Sequence, residues 1–334
     1  MAGARRLAAI DIGTVTTRLL VADVSAHDLT EVKRSTDITH LGEGLGATGR
    51  LSEAAMERVA AVIARYAATI SELGVESVTA LATSASRDAE NSADFLAMLA
   101  EHGIVPEIIP GDREARLSFA GAASDMEPVE DLLVVDLGGG STELILGDVK
   151  IDGGARTSEI VKARSVDIGS KRITERFFHT DPPTAAELAD AREWAVGQLR
   201  PYFDGLRDRP RMMVSVAGTA TSLSAIRQEL KIYDSALVHC SCLSGSELAD
   251  LTEMLAGMTL DERKVLPGLD PGRAPVIVGG SLILETIVAL AGLDSTLVSE
   301  HDILYGILLD SYHGLVTPAE TPAENRAEGD DSRS

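Results

Sequence analysis

The chain has 334 residues, a formal net charge of −22 and two cysteines, which is length for about two domains with buried cores. A balance this acidic repels polyanions at long range and argues against nucleic-acid binding, so an anionic substrate would depend on a local cluster of Arg and Lys plus Mg²⁺. Aromatic residues make up 3% of the chain, and Ala, Val, Ile and Leu dominate the apolar fraction, as in α/β proteins with interior parallel strands. Cys240 and Cys242 would point to opposite faces of one strand, which disfavours a mutual disulfide and offers no metal spacing. A reduced, cytoplasmic protein is expected. Arg5 and Arg6 precede only a short apolar run broken by Asp11, unlike a signal peptide. The apolar region from Val276 to Val298 is interrupted by Glu285, Asp294 and glycines, so no membrane span is expected.

In chain order, residues 7–23 read as a strand hairpin and 30–40 as a third strand. Ser52 is an N-cap for a helix whose apolar stripe runs from Ala54 to Leu73 and stops at Gly74. Residues 78–82 read as a strand, followed by a loop and helix start that carry Arg87. Loops at the carboxyl ends of such strands bind ligands in open α/β sheets. Arg87 is therefore a phosphate candidate, with a surface salt bridge to Asp88 or Glu90 as the plain alternative. Residues 104–109 read as a strand, and Gly111 opens a helix with Asp112, Arg113 and Glu114 in its first turn.

Residues 133–147 then read as strand, tight turn, strand, with Asp136 before Gly138-Gly139-Gly140-Ser141-Thr142 and Glu143 after it. Three glycines predict positive backbone angles and a run of N–H groups that cradles an anion. Two flanking carboxylates suit Mg²⁺, which takes one or two carboxylates and keeps its waters. Further on, Gly169 precedes a basic helix start in which Lys171, Arg172 and Arg176 are candidates for distal phosphates, or else a solvated face. Thr184 with Glu187 and Ser244 with Glu247 form capping boxes. The strand at 212–217 leads into a helix start at Gly218 and Thr219, a second anion-receptive geometry. Gly279 and Gly280 open another helix or allow close helix packing. A short strand at 297–299, a helix at 302–313 and a disordered acidic tail at 317–334 complete the chain.

The run Ala9 to Asp23 aligns with Val134 to Asp148 without a gap. Asp11 falls on Asp136, Gly13 on Gly138, Thr16 on Ser141 and Thr17 on Thr142. A duplicated domain is the simplest account, with two phosphate hairpins facing one another across a cleft.

These runs, with residues 82–89 and 111–116 between them and 216–221 and 273–280 after them, resemble the exopolyphosphatase and guanosine pentaphosphate phosphatase family. The likeness covers 7–309. It implies an α/β fold of two actin-like domains with an interdomain cleft: 1–115 with about 301–316, and 116–300. It implies hydrolysis of terminal phosphate from inorganic polyphosphate or from pppGpp, with polyphosphate, and short chains in particular, favoured here. The resemblance assigns Glu114 as the base that deprotonates water, and Asp136 and Glu143 as metal carboxylates with Asp11 in support. Gly13, Thr14, Arg87, Gly138 to Thr142, Gly218, Thr219, Lys171 and Arg172 are assigned to phosphate. Mg²⁺ is the implied cofactor, with Mn²⁺ as a substitute, and a homodimer is implied by resemblance only. Val15, Arg113, Leu304 and Tyr305 depart from the family pattern, and Arg113 is expected to lower the pKa of the base. The rivals outside this family are an ATP-dependent kinase of the same superfamily and a ligand sensor without activity. The sensor would be marked by loss of an acid at Glu114, Asp136 or Glu143, and all three acids are present.

Overall fold

The computed structural model describes residues 3–26, 28–152 and 155–316, so the expected disorder of 317–334 lies outside the described residues. Strands β1 (Arg5–Ile12), β2 (Thr16–Val24) and β3 (Leu29–Ile38) form an antiparallel meander. Helices α1 (Leu45–Thr48) and α2 (Glu53–Glu72) cross back to β4 (Ser77–Ala82), which pairs parallel to β1. After α3 (Ser84–Asp88) and α4 (Ser92–Ala100), β5 (Glu107–Ile108) closes a sheet of order β3-β2-β1-β4-β5, and α5 (Gly111–Ala122) leaves it.

The second sheet repeats this plan. Strands β6 (Val129–Leu137), β7 (Thr142–Asp152) and β8 (Ala155–Val166) form a meander, and helices α6 (Ser170–Phe177) and α7 (Ala185–Asp204) return to β9 (Met212–Val216), parallel to β6. There follow α8 (Ala217–Arg227), α9 (Ser235–Val238), β10 (Ser241–Ser244), α10 (Gly245–Gly257), α11 (Leu260–Lys264) and α12 (Ile277–Ala291). Strand β11 (Ser295–Val298) completes the order β10-β11-β9-β6-β7-β8 and leads into α13 (Ile303–Val316). The blocks β3-β2-β1-β4 and β8-β7-β6-β9 share one topology, so the duplication legible in the hairpins extends to the sheets. This is the expected actin-like α/β architecture.

Both sheets are covered on both faces, which is why β1 and β6 read as unbroken apolar runs. On β1, Ala8, Ile10 and Ile12 pack with α2, while Leu7 and Ala9 pack with Leu304 and Leu308 of α13. On β6, Leu133 and Val135 join the core with α7, α8 and α12, while Leu132 and Val134 pack with Ala115 and Phe119 of α5. The two closing helices therefore trade places. Each covers the other half's sheet, and they cross where a Cβ on Gly121 would collide with the Asp302 carbonyl and one on Gly306 with that of Leu117.

The caps fall where the sequence puts them: Ser52 Oγ accepts the Ala55 N–H, and both capping boxes are closed. The strand expected at 104–109 shrinks to the two residues of β5, which pairs only with β4, and Pro106 just before it has no N–H to donate. Gly279 and Gly280 lie inside α12, where added Cβ atoms would meet Thr174 Oγ1 at 2.7 Å and Thr219 Oγ1 at 2.7 Å. Close packing on α6 and α8 explains them. Among the described residues, no helix is long and apolar enough to cross a membrane.

Candidate active site

The two glycine hairpins are built alike. Asp11 pairs with Arg18 and Ile12 with Thr17 across β1 and β2; Asp136 pairs with Glu143 and Leu137 with Thr142 across β6 and β7. In the turns, Gly13 N–H donates to Thr16 O at 2.9 Å and Gly138 N–H to Ser141 O at 3.0 Å. The reason expected for the triple glycine is not the one observed, because none of Gly138, Gly139 and Gly140 has a positive φ. Proximity requires them instead. A Cβ on Gly140 would lie 2.5 Å from Ser84 Oγ and 2.7 Å from Thr14 Oγ1, and one on Gly139 would strike Val15. The tips thus face and touch each other, with Val15, the family departure, as the apolar contact between them.

A cleft of about 570 Å³ opens at this junction, lined by Asp11, Gly13, Thr14, Glu114, Asp136 and Gly138 to Ser141, and by Gly218 and Thr219. Glu114 reaches it from the first turn of α5, which starts at Pro110 without a side-chain cap. Burial pushes the Glu114 carboxyl up to about 7, with Asp136 and Asp11 adding repulsion and Arg87 opposing the rise. Arg87 Nη1 donates to Glu114 Oε2 at 2.7 Å and to Ile109 O at 2.9 Å. Arg113 does not serve as the neighbouring cation. It turns outward to Glu107 Oε1 at 2.6 Å.

Asp136 and Glu143, opposite each other and both buried, are forced upward in pKa. Burial lifts Asp136 to about 6, and burial followed by repulsion from Glu114 and Asp136 raises Glu143. Ser118 Oγ donates to Asp136 Oδ2 at 2.5 Å and Ser165 Oγ to Glu143 Oε1 at 2.7 Å. Two buried carboxylates at facing register positions need a shared proton or cation, so this pair fits a divalent ion, with Asp136 lining the cleft and Glu143, almost fully buried, outside its lining. Asp11 differs. Arg18 Nε and Nη2 both donate to its Oδ2, at 3.0 and 2.6 Å, and Arg18 also pairs with Asp302.

The remaining sequence candidates divide. Ser141 lines the cleft, but Thr142 is fully buried and donates to Ile168 O at 2.6 Å, so it supports the hairpin from behind. Lys171 and Arg172 line a neighbouring cleft of about 400 Å³ that shares Thr14, Ser84, Gly139 and Gly140 with the first. There Lys171 pairs with Glu175 at 2.8 Å and Arg172 with Asp88 at 2.7 Å. Arg87 lines neither cleft. Sequence reading missed Arg18, Arg34, Lys231 and Arg273, all of which line the larger cleft. Arg18 carried a signal, since it occupies the repeat position of Glu143, and Arg273 opens the family run 273–280; Arg34 and Lys231 carried none. Arg273 lies over Gly218, with Nη1 donating to Gly218 O and Ser222 Oγ at 2.8 Å each.

Among the described residues, a tight group of three metal-capable side chains lies elsewhere, at Asp125, His239 and His301. The Glu300 N–H donates to His239 Nδ1 at 3.2 Å, so Nε2 carries the ring proton and donates to Asp125 Oδ2 at 2.8 Å. A metal on Nε2 would move that proton to Nδ1, against another donor. The group is a hydrogen-bonded staple between the end of α5, the start of β10 and the start of α13.

Two glycine-tipped hairpins gripping a shared acidic cleft between duplicated actin-like halves define a phosphate-handling protein. The Ppx/GppA phosphatase family model matches residues 20–313, and the chain belongs to that family. It is 42% identical over 323 residues to exopolyphosphatase 2 of Mycobacterium tuberculosis, covering 91% of this chain and 98% of that protein. The crystal structure of the Aquifex aeolicus Ppx/GppA family member is 30% identical with a TM-score of 0.77, over 94% of this chain and 99% of that one. An exopolyphosphatase structure from Cytophaga hutchinsonii is 26% identical with a TM-score of 0.83, over 93% and 98%.

Proposed function

We propose that this chain is an exopolyphosphatase that hydrolyses the terminal phosphoanhydride bond of inorganic polyphosphate, short chains foremost. The observation that carries the reading is Glu114: a buried carboxyl lining the cleft where both glycine tips meet. A relative named exopolyphosphatase, 42% identical over 91% of this chain and 98% of its own, supports it.

In this reading the tips at Gly13, Thr14 and Gly138 to Ser141 grip the terminal phosphate, and Gly218 and Thr219 line the same cleft. Arg18, Arg34, Lys231 and Arg273 offset the charge of the chain behind it, which an acidic protein must do locally. Lys171 and Arg172 serve phosphates that extend into the second cleft. Glu114 takes a proton from water as its oxygen attacks the terminal phosphorus, the bridging P–O bond breaks, and the shortened chain leaves with the bridging oxygen. Phosphoryl transfer asks for placement and charge neutralisation more than covalent chemistry. A divalent cation, Mg²⁺ or Mn²⁺, held by Asp136 and Glu143 with Asp11 in support, would supply part of that neutralisation. Cytoplasmic location, division into 1–115 with 301–316 and 116–300, and a homodimer belong to the same proposal.

The test is phosphate release from polyphosphates of defined length and from pppGpp, compared as kcat/KM. A higher value for the short polyphosphates is expected. A higher value for pppGpp would make this a pentaphosphate phosphohydrolase instead.

A further inference from the structure

The resemblance gives Arg87 to substrate phosphate, and the geometry gives it another task. Arg87 sits in the last turn of α3, whose Ser84 lines both clefts while Arg87 lines neither. Its Nη1 is committed twice: to Glu114 Oε2 at 2.7 Å and to Ile109 O at 2.9 Å. Ile109 immediately precedes Pro110, the residue from which α5 starts. One guanidinium nitrogen therefore ties the entry of α5 to the carboxylate in its first turn. The side chain is 22% exposed against 10% for Glu114, yet of the two only Glu114 lines the larger cleft.

Resting on the reading of Glu114 as the base, we propose that Arg87 is a positioning residue that holds Glu114 by Oε2. Oε1 is then the oxygen turned to the attacking water, and Arg87 makes no contact with substrate. A carboxylate free to rotate would offer either oxygen at varying depth, and misplacement by about 1 Å costs on the order of a hundredfold in rate. A guanidinium suits this task because it is planar and permanently charged. A lysine, with a point charge on a flexible stem, would keep the charge and lose the fixed geometry.

The experiment is a double-mutant cycle on the full chain with a short polyphosphate of defined length, using Arg87→Gln, Glu114→Gln and both together. Positioning predicts a KM for Arg87→Gln within about threefold of wild type and a kcat lower by about tenfold or more. In the Glu114→Gln background the same change should cost almost nothing, because a base already removed cannot be misplaced. Arg87→Lys should recover part of the lost kcat, and it decides the matter if the glutamine variant does not fold. A phosphate ligand would behave otherwise: KM rises about tenfold or more and the loss persists in the Glu114→Gln background. That result would overturn the proposal. If Glu114→Gln alone turns over like wild type, the base assignment itself fails, which is a separate outcome from failure of the Arg87 assignment.

Discussion

Asp11 and Arg18 face each other across the first hairpin at the same register as Asp136 and Glu143 across the second. The first copy supplies its own counter-charge, and Arg18 spends both its inner nitrogens on Asp11 Oδ2. The second copy pairs two acids with no cation of its own, and Arg18 of the first copy is the cation that opposes the burial-driven rise of Asp136. Duplication kept the cradle and separated the electrostatics, so the cation requirement falls on one hairpin.

Metal dependence should follow that asymmetry. Glu143→Gln removes half of the unneutralised pair, and the Mg²⁺ concentration for half-maximal activity is expected to rise by about tenfold or more, as for lost ligands or their immediate supports. Asp11→Asn leaves Asp136 and Glu143 intact and should move it far less. Titrating activity with Mg²⁺ and with Mn²⁺ checks this, and a larger effect from Asp11 would place the cation on the first hairpin.

Glu114→Gln should bind substrate and lose about 10² to 10⁴ in kcat, the range for a general base. Because burial brings the Glu114 carboxyl up to about 7, the wild-type rate should fall as pH drops through that value, where the base is protonated. The variant should lack this acidic limb. Single-turnover phosphate release between pH 5.5 and 8.5, scanned at about half-unit steps, resolves the limb against the one-unit tenfold slope. A limb retained in Glu114→Gln would assign it to another group.

Stability without metal should run the other way. Asp136, Glu114 and Glu143 all have raised folded-state pKa values, so they favour folding below the unfolded carboxyl value of about 4. That contribution is lost as pH rises through about 6 for Asp136 and about 7 for Glu114. In chelator, the unfolding midpoint should therefore drop between pH 5 and pH 8, at about 1–2 °C per kcal/mol for a chain of this size. Mg²⁺ should restore more at pH 8 than at pH 5, where protons compete for the same oxygens. Equal stabilisation by Mg²⁺ at both pH values would argue that it binds away from these acids.

Much of the arrangement was legible in the sequence because it rests on local rules. The repeat from Ala9 to Asp23 over Val134 to Asp148 anticipated two equivalent turns, and the capping residues Ser52, Thr184 and Ser244 marked helix starts. What stayed hidden depends on contacts between distant segments. Arg273 meets Gly218 from 55 residues away, and Arg18 meets Asp302 from 284. Nothing periodic in the sequence encodes either contact. Arg113, next to the base in the chain, points away from it because successive helix positions do not share a face. The body of strand β8 was not legible, since as an edge strand it carries charged residues where interior strands carry apolar ones.

Two glycine substitutions separate closure of the site from integrity of the fold. Gly140→Ala places a Cβ 2.5 Å from Ser84 Oγ and 2.7 Å from Thr14 Oγ1, on movable side chains at the junction of two hairpin tips. The tips can part by a few tenths of an ångström, so the unfolding midpoint should change little while kcat falls, by less than the roughly hundredfold that a 1 Å misplacement costs. Gly121→Ala meets a different obstacle, the backbone carbonyl of Asp302 where α5 crosses α13. Neither helix can yield without disturbing the core it closes on the opposite sheet, and overpacking of this kind costs about 1–3 kcal/mol or more. Thermal unfolding and phosphate release measured on both variants should show activity loss without destabilisation for Gly140→Ala and destabilisation for Gly121→Ala. If Gly140→Ala keeps full activity, contact between the tips is not what assembles the phosphate grip.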